Sequence, residues 1–196
     1  MSRKPIIKIA CIAGLSLAAL SNVEAASISI NPLTSTVQVG SNFSVELFMD
    51  FSDEATLGGG IDVSYDSNFA DFVSFAFDSS FLAMTDPTMT CPSSAACPSI
   101  DQFNSVSNIA FGNFNGIGGM FTIGTLEFTA LDVGNILLTT SSTSGVAGPF
   151  VSANTFMPMT VSYNSASISA VPLPAAAWLF LSGLGLFGFA RKKASA

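Results

Sequence analysis

Residues 42–51 read Asn42-Phe43-Ser44-Val45-Glu46-Leu47-Phe48-Met49-Asp50-Phe51. Every second side chain, Phe43, Val45, Leu47, Met49 and Phe51, is apolar, while Ser44, Glu46 and Asp50 hold most of the alternate positions. A period of two sets these groups on opposite faces of an extended chain, which is the pattern of a strand half-buried in an antiparallel sheet. A helix would scatter the same five apolar residues around its circumference and bury none of them together.

The pattern repeats on both sides. Ile61, Val63 and Tyr65 alternate with Asp62, Ser64 and Asp66, and Val73, Phe75 and Phe77 continue it after a turn at Asp66-Ser67-Asn68. Further strands are expected at Ile28–Ile30, Val37–Val39, Val106–Phe114, Met120–Ala130, Ile136–Thr140 and Met159–Ile168. Phe121 and Ile123 lie on one phase and Leu126 and Phe128 on the other, which predicts a bulge at Gly124-Thr125. No segment between the ends keeps helical spacing for three turns. Asp86 to Asn108, with CPSSAACPSIDQF inside it, has no periodicity and reads as a surface loop. Many short strands joined by Gly-, Asn- and Ser-rich turns specify an all-β, two-sheet antiparallel β-sandwich over residues 26–170.

Charge narrows the function. Arg3, Lys4, Lys8, Arg191, Lys192 and Lys193 are the six basic residues of the chain, and all lie in its end segments. Of the 13 acidic residues only Glu24 lies in the front segment, so residues 26–170 carry twelve acidic and no basic side chains. Phosphate backbones and anionic lipid surfaces are held by Lys and Arg, so nucleic acid is excluded as a partner and docking of this domain on anionic lipid is disfavoured. There is no His, which removes Ser-His and Cys-His pairs and His-ligated zinc. The domain reads as non-enzymatic; a carboxylate-pair hydrolase is the one catalytic scheme its residue types leave open.

The two ends are targeting segments by composition. In residues 1–25, Arg3, Lys4 and Lys8 precede the apolar run IACIAGLSLAAL, and Val23-Glu24-Ala25 forms a cleavage-like site. This predicts a secretory signal peptide cut after Ala25, or alternatively after Ala26. At the other end, VPLPAAAWLFLSGLGLFGFARKKASA is uncharged from Ala175 to Ala190 and then meets Arg191, Lys192 and Lys193. A helix over that run spans about 24 Å, short of the roughly 30 Å hydrocarbon core of a bilayer. The basic cluster favours the cytoplasmic side, with the acidic domain outside.

That tail, with Val171-Pro172-Leu173-Pro174, then a brief hydrophobic helix, then the basic cluster, resembles the PEP-CTERM sorting signal in its VPLPAA form. Leu173 stands where the name-giving motif has Glu, and Ala194-Ser195-Ala196 trail the basic cluster. The resemblance covers residues 171–196. It implies a substrate of exosortase in a Gram-negative bacterium, after signal peptidase has acted. The domain is then held at the inner membrane on its periplasmic side and, once processed, reaches the cell surface or extracellular matrix, associated with exopolysaccharide and biofilm. A plain C-terminal membrane anchor is the alternative.

A second resemblance lies in TVQVGSNFSVELFMDF, LGGGIDVSYD and FVSFAFD, which is similar to the first half of cohesin-like and related carbohydrate-binding jelly-roll sandwiches, with Asp66 matching the turn-forming Asp at a strand end. It implies a carbohydrate- or protein-binding adhesion module.

Three residue groups remain. Cys91 and Cys97 are the cysteines left once Cys11 departs with the signal, and in an oxidising compartment they are expected to pair, closing a small loop. Asp50, Asp53, Glu54, Asp62 and Asp66 are the densest acidic group, a candidate Ca²⁺ site if several share one end of the sandwich; solvated turn carboxylates account for them equally, and no D-x-D-x-D-G loop is present. No other cofactor is indicated. The 18 Phe residues read as core packing, because Trp178 lies in the tail and a sugar platform calls on Trp or Tyr.

Overall fold

The computed structural model describes residues 26–90, 99–101, 104–145 and 147–173. These contain β1 (Ser27–Pro32), β2 (Thr36–Gln38), β3 (Asn42–Asp50), β4 (Thr56–Ser64), β5 (Ala70–Phe77), the single turn α1 (Ser79–Leu82), β6 (Ser99–Asp101), β7 (Ser105–Ile117), β8 (Met120–Ala130), β9 (Gly134–Ser142), β10 (Val151–Ser152), β11 (Ser162–Tyr163) and β12 (Ala166–Val171). They build an all-β sandwich. One sheet has the order β11-β1-β3-β8-β5; the other runs β2-β12-β9-β4-β7-β6, with β10 added to β4. Neighbours pair antiparallel except at β1–β11 and β2–β12, where short strands lie parallel.

The stretch at residues 42–51 is the middle of the first sheet. β3 is flanked by β1 and β8, with Ser27 opposite Asp50 and Asn42 opposite Thr129. Phe43, Val45, Leu47, Met49 and Phe51 all face the interior. Fully burying side chains of this size contributes about 2 kcal/mol each, so the alternation itself fixes which face of β3 points inward.

The bulge in β8 falls one residue before its expected place. Leu47 pairs with Gly124 and Phe48 with Thr122, leaving Ile123 as the extra residue. Ile123 and Gly124 are consecutive and both buried, which a strict two-residue period forbids.

Three expectations are corrected. β4 starts at Thr56 rather than Ile61, because Gly58, Gly59 and Gly60 are inside the strand. A Cβ on Gly58 would stand 2.6 Å from the Cα of Gly112 on β7, so only glycine lets these strands approach. The single strand expected over 159–168 is two strands in different sheets, β11 and β12. Tyr163 and Ile168 sit on opposite phases, and the chain crosses between sheets at Asn164-Ser165, where the Asn164 carbonyl accepts from Thr140 Oγ1 at 2.9 Å. The surface loop expected over 86–108 includes β6, which pairs antiparallel with β7.

Phenylalanines knit the two sheets together. Phe128 stacks on Phe43 with centroids 5.6 Å apart and meets Tyr65 and Phe72 edge-on. Phe81, held by α1, meets Phe111 at 4.9 Å, and Phe150 bridges Phe111 and Phe51. Asp78 caps α1, its carboxylate accepting from the amides of Ser80 and Phe81. These contacts bear out core packing as the role of most of the phenylalanines described.

Strand direction gives the sandwich two distinct ends. β3 and β7 finish where β4 and β8 begin, beside Asp50, Thr56, Ile117 and Met120. β4 finishes at the opposite end, about 26 Å away at roughly 3.3 Å per residue, beside the turn at Asp66. The chain enters at the first end, with Ser27 opposite Asp50, and leaves at the second, where Val171 lies beside Gln38.

Candidate functional site

The five carboxylates of the candidate cation group do not converge. Asp50 closes an Asx turn, its Oδ1 accepting from the amide and hydroxyl of Ser52 at 3.1 and 2.7 Å. Asp53 is exposed in the same connection. Glu54 accepts from the hydroxyl of Ser152, which in turn accepts from the amides of Asn154 and Thr155. Asp62 lies within β4 and accepts the Asn108 amide at 2.8 Å. Asp66 is at the far end, where Oδ1 accepts from the amide and side chain of Asn68 at 2.9 and 2.8 Å. Both ends of β4 are thus represented, and no three acidic side chains gather at one point among the described residues. Sequence density placed these residues together because β4 is short in sequence but spans the sandwich in space. The turn at Asp66 is the one the sequence predicts.

A shallow cleft of about 530 Å³ lies at the Asp66 end of the second sheet, lined by Ser64, Tyr65, Asp66, Asn104, Asn135 and Leu137 among others. β4 and β9 position it: their side chains alternate, so Asn135, Leu137 and Thr139 face outward while Ile136 and Leu138 fill the core. Burial pushes the Tyr65 hydroxyl above its ordinary range, with the charge of Asp71 adding to the effect and a hydrogen bond with the Phe72 backbone opposing it. Burial does the same to Tyr163, against a hydrogen bond with Ser142. The cleft presents hydroxyls, amides and the side chain of Asp66. That set suits recognition by hydrogen bonds and contains no basic group or nucleophile–base pair.

Of the C-terminal motif, Val171 ends β12, and Pro172 and Leu173 follow it exposed and outside any strand. Proline cannot donate to a ladder, which suits it to ending the strand. Pro174, the apolar run and Arg191, Lys192 and Lys193 lie outside the described residues, as do the signal segment and the proposed partners Cys91 and Cys97. Among the described residues no helix is long and apolar enough to cross a membrane.

Not every phenylalanine is core. Phe114 and Phe156 are 71% and 72% exposed, and Met157 beside the latter is 65% exposed. Phe114 sits in an outward loop of β7, between Gly112, which pairs with Gly58, and Ile117, which pairs with Thr56. The turn residues around it, Asn113, Asn115 and Gly116, are the sequence signal that separates it from the core phenylalanines.

No protein-family model and no curated protein matches the chain. Solved structures do. The cohesin module of a Clostridium perfringens family 33 glycoside hydrolase aligns with a TM-score of 0.57 at 10% identity, over 76% of this chain and 98% of that module. The cohesin–dockerin complex of type I from Clostridium thermocellum gives 0.56 at 12% identity, over 75% and 99%. A non-cellulosomal cohesin from the archaeon Archaeoglobus fulgidus gives 0.53 at 14% identity, over 78% and 95%. At such identities the likeness is one of architecture: the chain folds as a cohesin-like β-sandwich.

Proposed function

We propose that this chain is an exported, non-enzymatic surface protein whose cohesin-like sandwich is a protein-binding adhesion module. The observation that carries the binding role is the fold: the sandwich aligns with nearly the whole length of cohesin modules, one of them solved in a cohesin–dockerin complex. Composition supports the non-enzymatic part, since residues 26–170 have no His, Lys or Arg with which to build the common catalytic pairs.

Delivery rests on the two ends. Signal peptidase removes residues 1–25, and the tail at 171–196, as a PEP-CTERM-type signal, hands the protein to exosortase. Before that step the apolar run holds the domain at the periplasmic face of the inner membrane; afterwards it is placed at the cell surface or in the matrix. The exposure of Pro172 and Leu173 supports access by a protease. Cys91 and Cys97 pair in the oxidising compartment and stiffen their loop.

A second reading assigns the cleft at Asp66, Asn104 and Asn135 to exopolysaccharide, because its hydrogen-bonding groups match sugar hydroxyls. The two are separated by immobilising the exported protein and passing over it the host's exopolysaccharide and, separately, its envelope proteins, each with and without Ca²⁺. Protein binding predicts saturable retention of an envelope protein and none of polysaccharide. Retention of polysaccharide alone contradicts it.

A further inference from the structure

The most exposed apolar side chains lie together at the end of the sandwich opposite the C-terminal exit. Phe156, Phe114 and Met157 are the three most exposed large hydrophobic residues described, at 72%, 71% and 65%; Met120 follows at 59%, level with Leu33, which lies after β1 away from this end. Three segments meet there: 51–55 after β3; 113–120, from the end of β7 into β8, which carries Phe114 and Met120; and 153–157 after β10, which carries Phe156 and Met157. The loops pack on one another through small residues. A Cβ on Gly116 would lie 2.9 Å from that of Ala153 and 3.5 Å from that of Ala55, and one on Gly118 would lie 3.2 Å from that of Ala55. The Ala153 amide donates to the Ala55 carbonyl at 2.9 Å, and Ser152 ties the third loop to Glu54. These contacts make one surface of three segments distant in sequence.

Folding does not call for this arrangement. Phe156 has φ +59°, a left-handed conformation that costs a bulky L-residue about 1–2 kcal/mol. The same residue leaves its ring in water, where it gains nothing from burial. Strain combined with an unburied aromatic at a loop tip marks a site held ready for contact.

Charge selects the partner. The acidic residues bordering these loops are Asp50, Asp53 and Glu54, and the whole segment 26–170 has no basic side chain to offset them. An anionic bilayer is repelled, and so is a second copy of the same acidic domain. We propose that this apex is the docking surface for a polypeptide segment that is both apolar and basic, taking Phe114, Phe156, Met120 and Met157 against its apolar side and Asp53 and Glu54 against its Lys or Arg. The inference rests on the protein-binding reading above and assigns it a place. The described chain leaves the sandwich at the opposite end, with Val171 beside Gln38, and leaves this apex clear.

The test uses the full exported protein with methyl-labelled methionine, followed by NMR as a synthetic amphipathic Lys/Leu peptide is added. Its Glu/Leu counterpart and neutral phosphatidylcholine vesicles are the controls. The expected result is saturable shifts of the Met120 and Met157 methyls with Lys/Leu peptide, none at buried Met49, and at least tenfold weaker binding of the Glu/Leu peptide. Phe114→Ser should weaken binding about tenfold. Phe156→Asn should do so while leaving Tm unchanged or higher, since Asn tolerates the left-handed backbone. Binding with no shift at Met120 and Met157 overturns the apex assignment and leaves the protein-binding reading standing. No binding of either peptide overturns the apex proposal. Vesicle binding that shifts the same methyls, or concentration-dependent self-association, replaces the polypeptide with lipid or a second copy.

Discussion

Asp62 and Asn108 are joined across the β4–β7 pairing: the Asn108 amide donates to Asp62 Oδ1 at 2.8 Å, beside the extra residue that shifts the register between Ile61 and Val63. A bulge leaves a backbone amide without its ladder partner, and here a carboxylate from the facing strand takes it up. Asp62→Ala is expected to lower stability by about 1–3 kcal/mol, with Asp62→Asn losing less. Urea denaturation would show this as a lower midpoint at unchanged m-value. An unaltered midpoint in Asp62→Ala would mean the bond is not structural.

Glycines at close strand approaches should rank by what surrounds them. Gly58 has φ +138° and its Cβ position lies 2.6 Å from Gly112 Cα, whereas Gly40 has φ +83° with no atom within 4 Å. Gly58→Ala is therefore expected to cost more than about 3 kcal/mol, combining backbone strain with overlap. Gly40→Ala pays only the conformational part, about 1–2 kcal/mol. Thermal melts of the two variants check the order; equal losses would place the β4–β7 contact elsewhere.

Alkaline pH should act through the two tyrosines. Burial raises both Tyr65 and Tyr163, so the fold prefers their neutral hydroxyls. Their contribution is complete below the ordinary tyrosine value of about 10 and is lost as pH climbs through the higher folded values. The melting temperature should fall from about pH 10 upward, and less steeply in Tyr65→Phe. Since the chain has two tyrosines, phenolate absorbance reads them directly; titration of both at their ordinary value would refute the burial argument.

Salt should stabilise the domain. Twelve acidic and no basic residues between 26 and 170 repel one another, and added ions screen that repulsion. Raising NaCl from about 10 to 200 mM takes the Debye length from roughly 30 Å to under 10 Å, and the melting temperature is expected to rise by a few degrees. Ca²⁺ compared at equal ionic strength separates general screening from a specific site. With Asp50 and Asp66 at opposite ends of β4, the expected extra shift is small; a large one would show that carboxylates assemble around the ion.

The sequence made most of the fold legible because two-residue alternation directly reports burial. Phe43 to Phe51 and the phase change in β8 were readable this way, and the Asp66 turn was readable from its Asp-Ser-Asn residues. Gly58 to Gly60 were not, since glycine has no side chain to alternate and its place in β4 depends on Phe111 and Gly112, far along the chain. Met159 to Ile168 misled for a related reason: the alternation continues through Tyr163, then shifts phase as the chain changes sheets. The site was less legible. Local density grouped Asp50 with Asp66, yet an extended strand separates its ends fastest. Phe114 and Phe156 looked like the other phenylalanines until the loops that carry them were placed.

The delivery route is the central claim, and intact-mass analysis of the protein recovered from the surface and medium of its own host tests it most directly. The expected mass lacks residues 1–25 and ends near Val171 to Pro174, without Arg191 to Ala196. A recovered protein whose mass still includes Arg191 to Ala196 would contradict sorting by cleavage and leave simple anchoring in its place.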